Sequence, residues 1–297
     1  MKILVTGAGG QIGFELRRTL ATLGEVIAVK LPEIDLADLD SVRACVRRVR
    51  PQLVVNAAAY TAVDKAEADP DLAMRINGDA PGVLAEEAKR LGAPIIHYST
   101  DYVYDGTKAG PYVENDAANP LSVYGRSKLA GDQSIAASGA AHVILRTSWV
   151  YGSRGSNFLL TMRRLAAERE ELRVVSDQTG APTWCRLLAQ ATAQIVATCG
   201  TPAKFAEKSG VYHLTAGGQT TWFGFAGAIV EQARASGQSR IVRLVPITTS
   251  DYPLPASRPA NSVLSNRKIA QTFGVIMPAW ENALALCAEG GINRQSA

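Results

Sequence analysis

Lys2-Ile3-Leu4-Val5-Thr6-Gly7-Ala8-Gly9-Gly10-Gln11-Ile12-Gly13 is the stretch whose reading decides the fold. Lys2 to Thr6 is a short apolar run of strand-forming residues, and a glycine-rich turn follows at once. Phe14, Leu16 and Leu20 then supply the apolar positions of a helix that stops at Gly24. Strand, glycine turn and helix make the first unit of a dinucleotide-binding fold. Glycine lets the backbone turn tightly and approach a pyrophosphate, and the helix N-terminus offers that anion free N–H groups and a partial positive charge. The spacing is GxxGxxG, carried by Gly7, Gly10 and Gly13.

Working outward, Val26 to Val29 reads as a second strand with Lys30 at its end. In such folds the residue here meets the adenosine ribose. An acid favours a free 2′-hydroxyl, and a base accommodates a 2′-phosphate. Lys30 therefore predicts NADPH, with NADH as the alternative cofactor. Glu33 works against that preference, and a solvated surface lysine is the plainer reading. Asp35-Leu36-Ala37-Asp38 leads into a helix with Val42, Val46 and Val49 on one face. Leu53-Val54-Val55 is the third strand and runs into Asn56-Ala57-Ala58-Ala59-Tyr60-Thr61, small residues suited to a backbone lying beside a cofactor. A helix including Asn77 to Leu91 ends at Gly92. Pro94 to Tyr98 is a fourth strand that delivers Ser99, Thr100 and Asp101 to the same sheet edge. His97 within it reads as a core histidine. His142 to Thr147 is the fifth strand.

This alternation predicts an α/β, Rossmann-type, doubly wound parallel sheet. After Trp149-Val150-Tyr151-Gly152 the alternation loosens. A helix from about Arg186 to Cys199 and a strand at Val211 to Leu214 return to the main sheet. The expected partition is a dinucleotide-binding domain of 1–151 plus about 184–216. A smaller, discontinuous substrate-binding domain takes about 152–183 plus 217–297.

The chemistry gathers in Tyr124-Gly125-Arg126-Ser127-Lys128. Tyrosine and lysine four apart on a helix lie one above the other. A nearby ammonium favours the ionised phenol, and a hydroxyl such as Thr100 completes a proton-delivery site for a carbonyl oxygen. Alone, YxxxK is a weak signal, because chance places it in many chains.

Bulk composition narrows the classes. The chain has 297 residues, 47% hydrophobic and 20% charged, with 31 basic against 27 acidic residues and a net charge of +4. That excess is too small to predict nucleic-acid binding. Cys45, Cys185, Cys199 and Cys287 are scattered, which predicts free thiols and a cytoplasmic protein. His97, His142 and His213 are equally dispersed, so no zinc-ligand spacing exists. The apolar N-terminal run is too short for a signal-peptide core, and no run approaches a membrane span.

With these residues in hand the chain resembles the extended short-chain dehydrogenase/reductases, and within them the dTDP-4-dehydrorhamnose reductase family, almost end to end. The glycine turn and YxxxK belong to the whole superfamily. More specific are S-T-D-Y-V-Y-D-G from Ser99, D-Q-T-G-A-P-T from Asp177 and S-R-P from Ser257. V-V-N-A-A-A-Y-T from Val54 and R-T-S-W-V-Y-G from Arg146 also match. The resemblance implies Thr100, Tyr124 and Lys128 as catalytic hydroxyl, acid and lysine. It implies cofactor contacts from Gly10-Gln11-Ile12, Asp35-Leu36 and Ala59-Tyr60-Thr61, with Asp101 and Trp149 facing the substrate. The ribose position is often Asp in this family, so Lys30 is a departure. Some bacterial members hold Mg²⁺ among glutamates at a homodimer contact. Glu15 matches one, but Arg186 stands where another is expected, so no Mg²⁺ site is expected and monomer or homodimer stays open.

The implied substrate is dTDP-4-dehydro-L-rhamnose, reduced at its C4 ketone. Its diphosphate needs cationic partners, and Arg258 in the Ser257-Arg258-Pro259 turn is the candidate. Two rival readings remain. One is another nucleotide-sugar reductase or epimerase sharing Tyr124 and Lys128. The other is a cofactor-binding regulatory subunit without turnover.

Overall fold

In the computed structural model, which describes residues 1–292, six strands form one parallel sheet. They are β1 (Lys2–Thr6), β2 (Glu25–Val29), β3 (Leu53–Asn56), β4 (Ile95–Thr100), β5 (His142–Thr147) and β6 (Gly210–His213), in the order β6-β5-β4-β3-β1-β2. Chain order reverses between β1 and β3. In open α/β sheets such a switch point opens a crevice at the carboxyl ends of the strands, where ligands bind.

The alternation of β1 sets the layers. Ile3 and Val5 point to one face and Leu4 to the other, and all three are fully buried. Ile3 and Val5 join a core with Leu16 and Leu20 of α1 (Gln11–Thr19) and Leu188 and Ile195 from the helix Cys185–Cys199. Ile269 and Phe273 of the short helix Arg267–Phe273 pack into that same core, although they lie beyond residue 217. Leu4 faces Val42, Val46 and Val49 of α2 (Leu39–Val49) and Leu84 and Ala88 of α3 (Ala80–Arg90). Strands apolar on both faces are what a parallel sheet covered on both sides requires.

The helix expected from Asn77 to Leu91 forms over Ala80–Arg90, and a wider π turn at Arg75–Asp79 precedes it. That turn aims the buried Asn77 side chain at the site described below. The helix α4 (Val123–Ser138) carries Tyr124 and Lys128.

A third core lies outside the sheet. Leu159 and Met162 of α5 (Phe158–Glu168) pack with Phe225 and Ile229 of the helix Trp222–Ala235 and with Leu284 of Trp280–Ile292. The strand Glu171–Val175 pairs in parallel with Arg243–Ile247 beside it. Among the described residues no helix is long and apolar enough to cross a membrane.

Candidate active site

The glycine turn holds two chain segments closer than any side chain allows. Gly7 has φ 72°, and a Cβ there would fall 2.7 Å from the Ala58 nitrogen. One on Gly13 would fall 2.1 Å from the Gly7 oxygen. The turn after β1 therefore lies directly against the segment after β3, and Gly10 opens α1 with no side chain capping its N–H groups. A turn of this shape, with free N–H groups at a helix N-terminus, can hold a dinucleotide pyrophosphate. Gln11 accepts a hydrogen bond from Asn157 Nδ2 at 2.9 Å, and Ile12 packs half-buried between two cores.

The other expected cofactor residues lie in the segments that follow β2 and β3. Lys30 is exposed and runs alongside Gly9, its Cδ 3.6 Å from where a Cβ on that glycine would sit. Asp35 Oδ1 accepts the Ala37 N–H at 2.9 Å. Leu36 buries its side chain in the α2–α3 core, so its backbone is the part that can face a ligand. Ala59 and Tyr60 are half-buried and Thr61 is exposed. Asn77 accepts the Tyr60 N–H at 2.8 Å, donates to the Tyr60 carbonyl at 3.0 Å, and donates to Ser127 Oγ at 3.0 Å. One amide thus ties this loop to α4.

Helix α4 starts at the buried Ser122, whose hydroxyl caps the Gly125 N–H at 3.1 Å. Tyr124 sits in its first turn, with its phenol near Thr100. Burial pushes that phenol up to about 12, and the Thr100 hydroxyl pulls the other way. Thr100 Oγ1 donates to Asp101 Oδ1 at 3.0 Å and accepts the Tyr102 N–H at 3.2 Å. Asp101 is itself pushed up to about 6 by burial, against hydrogen bonds from Ser262 and Thr100.

One turn along α4, Lys128 is 1% exposed. Its Nζ donates to the Tyr98 carbonyl at 2.7 Å and lies 3.0 Å from His97 Nε2. Burial lowers its pKa to about 8, with the Asp132 carboxylate opposing. Asp132 is buried in turn and pairs with Arg146 Nε at 3.1 Å.

The substrate side is built from distant loops. Trp149, at φ 47°, is stacked on Trp222, with ring centroids 3.7 Å apart and planes 7° from parallel. Trp222 Nε1 donates to Gln178 Oε1 at 3.2 Å. Both Trp222 and Gln178 line a cavity of about 540 Å³, as do Arg173, Tyr252 and Arg258. Arg258 is paired with Asp64. Trp222, Asp64, Asn77 and Arg173 escaped the sequence reading. Two motifs point toward two of them: the Gln178 motif, whose glutamine holds Trp222, and the matching segment from Val54, which runs on as A-V-D-K-A-E and so contains Asp64. Elsewhere Glu15 is buried 3.9 Å from Arg18, and the exposed Arg186 lies over the Trp184 ring.

A phenol, a hydroxyl and a lysine set beside the crevice of a doubly wound sheet define the class, an extended short-chain dehydrogenase/reductase. The family described as "RmlD substrate binding domain" matches residues 1–291. A dTDP-4-dehydrorhamnose reductase of Burkholderia thailandensis is 52% identical over 97% of this chain and 98% of its own length. The chain belongs to the dTDP-4-dehydrorhamnose reductase family. Two solved reductases of that description share its fold. The one from Clostridium acetobutylicum has a TM-score of 0.89 and 38% identity, covering 97% of this chain and 99% of that one. The one from Bacillus anthracis, in complex with NADP, has a TM-score of 0.89 and 32% identity over the same shares.

Proposed function

We propose that this protein reduces the C4 ketone of dTDP-4-dehydro-L-rhamnose to give dTDP-L-rhamnose, with NADPH as reductant. The observation that carries the reading is the Tyr124 phenol set beside Thr100, at the end of β4, in a chain 52% identical to a reductase of that description. The glycine turn suits a dinucleotide, since a Cβ at Gly7 or Gly13 would strike backbone and force apart the turn that leads into the uncapped N-terminus of α1.

A nicotinamide held there would supply the hydride that C4 receives. As negative charge grows on the ketone oxygen, Tyr124 donates the proton there. With its pKa near 12, the phenol is protonated at neutral pH, the form a donor needs, although burial makes it a weaker acid than a free phenol. Thr100 orients the same oxygen as a second donor. Lys128 supports the phenolate and reaches the nicotinamide ribose. Gly10, Gln11, Ile12, Asp35, the Leu36 backbone and Ala59 to Thr61 hold the dinucleotide, with Lys30 near a 2′-phosphate. Asp101 and Trp149 would face the sugar, and Arg258 and Arg173, which line the cavity, would face the diphosphate. Segments 152–183 and 217–266, with 278–292, make up the substrate half. The four buried, unpaired thiols suit a reducing cytoplasm.

The test is nicotinamide oxidation with the 4-keto sugar nucleotide generated in situ. Turnover is expected, and Tyr124→Phe should lose about 10²–10⁴-fold in kcat while keeping its affinity for NADPH. A Tyr124→Phe enzyme retaining most of its kcat would remove Tyr124 as the donor. Turnover on a GDP- or UDP-sugar in preference would replace the substrate.

A further inference from the structure

His97 is fully buried on β4 and has two polar neighbours. Its Nδ1 lies 3.0 Å from Asn56 Nδ2, and its Nε2 lies 3.0 Å from Lys128 Nζ. The Asn56 amide is oriented by other contacts. Its Oδ1 accepts the Ala58 backbone N–H at 3.2 Å and the Thr6 hydroxyl at 2.6 Å. A backbone N–H only donates, so the amide oxygen faces Ala58 and the NH₂ faces His97. An amide NH₂ also only donates, so His97 Nδ1 must be bare. Burial keeps the ring neutral, and the charge of Lys128 acts in the same direction. A neutral ring with a bare Nδ1 carries its proton on Nε2, the atom aimed at Lys128.

We propose that Asn56 locks His97 in its Nε2–H form and that His97, as a positioning residue, thereby biases Lys128 toward the neutral amine. An ammonium has three donors and no acceptor, so an N–H pointed at it is an opponent. A neutral amine can turn its lone pair to His97, give one hydrogen to the Tyr98 carbonyl and keep one for a ligand. The other groups around Lys128 divide. Asp132, one turn further along α4, favours the ammonium. Arg146 of β5, paired with that same carboxylate, weakens its pull. Tyr124 lies one turn before, and Asp101 lies at the end of β4. The consequence rests on Lys128 belonging to the catalytic set. An ammonium held close to its own pKa gives up its proton more readily to a base, and the amine left behind accepts the His97 N–H.

The tautomer is read on cofactor-free wild-type protein by long-range ¹H–¹⁵N correlation of labelled histidine, with His97→Phe supplying the assignment. A protonated Nε2 and a bare Nδ1 are expected through neutral pH. A ring protonated on Nδ1 overturns the proposal. Titration of ¹³Cε-labelled lysine then follows Lys128, identified by its loss in Lys128→Met. His97→Phe should move its midpoint upward by roughly one unit, the scale of one hydrogen bond. No shift, or a downward one, overturns the bias. Should His97→Phe fail to fold, neutron diffraction from wild-type crystals locates the same ring proton. Found on Nε2 it supports the lock, and found on Nδ1 it overturns it. Neither readout uses substrate, so each stands or falls apart from the assigned reaction.

Discussion

Arg258 and Asp64 are joined by a two-pronged ion pair, Nη2 to Oδ2 at 2.7 Å and Nη1 to Oδ1 at 3.1 Å. It fastens the loop that lines the cavity of Trp222 and Gln178 to the segment after β3. The pair also holds the Asp64 carboxyl below the usual carboxylate range, through the Arg258 hydrogen bond above all. A guanidinium already paired on one edge can serve a diphosphate only with its remaining N–H groups. Arg258→Ala should therefore raise KM for the sugar nucleotide by roughly ten- to a hundred-fold, the worth of a charge-assisted hydrogen bond. The Kd for NADPH should stay where it was. Asp64→Asn discriminates between latch and ligand. If Arg258 binds diphosphate, this variant leaves KM unchanged or lower. If the pair is only a latch, both variants raise KM alike.

Lys128 makes stability depend on pH in a stated direction. Its pKa falls from 10.5 to about 8 on folding. Below about 8 both folded and unfolded chains carry the charge, and the cost of burying it is complete. Between about 8 and 10.5 only the unfolded chain holds the proton, so this group's contribution to stability rises with pH. Above 10.5 both are neutral. Denaturation midpoints of wild type and Lys128→Met, compared across that window, should diverge in favour of wild type as pH rises, by about 3 kcal/mol in all. Subtraction removes every other titrating group. A difference independent of pH would mean that Lys128 is not titrating there.

Lys30 should decide the choice of nicotinamide cofactor. Its side chain lies beside Gly9 at the mouth of the pyrophosphate cradle, and its backbone N–H is 3.4 Å from Glu33 Oε2. Lys30→Asp should lower kcat/KM with NADPH by about 10–100-fold relative to NADH, again the worth of one charge-assisted contact. Parallel assays with the two cofactors measure that ratio. An unchanged ratio would make Lys30 a surface residue and move selection elsewhere on the rim.

What could be read from the chain, and what could not, divides along sequence distance. The periodicity of β1, α1 and the strands through β5 is local, so the sheet was legible before any contact was known. Tyr124 and Lys128 are legible for the same reason, being one turn apart. The Trp149–Trp222 stack and the Arg258–Asp64 pair depend on loops that meet across the fold, and no local pattern encodes such a meeting. Leu36 shows a second limit. Its place in a motif says that the backbone passes a ligand, yet its side chain turns inward to the core. His97 shows a third. An apolar strand correctly marks it as buried, but its partners come from β3 and α4.

Gly125 is the point at which the helix of Tyr124 docks on the strand of Thr100. A Cβ there would lie 2.2 Å from the Tyr102 carbonyl oxygen and 2.9 Å from Pro120 Cβ. Tyr102 belongs to the turn Asp101–Val103 that directly follows Thr100, so the clash falls between the two halves of the proton-delivery pair. The carbonyl is backbone and cannot swing aside as a side chain would. Relief requires the start of α4 to move by about an ångström, a displacement that can cost about a hundred-fold in rate. Overpacking of this kind also costs about 1–3 kcal/mol of stability. Gly125→Ala should therefore lower both the melting temperature and kcat, while cofactor affinity, which we assign to Gly7 to Gly13, changes little. Gly110→Ala is the control, because a Cβ there meets nothing within 4 Å. If Gly125→Ala keeps full kcat despite lower stability, the helix start can shift without disturbing Tyr124. The requirement for glycine would then be one of packing alone.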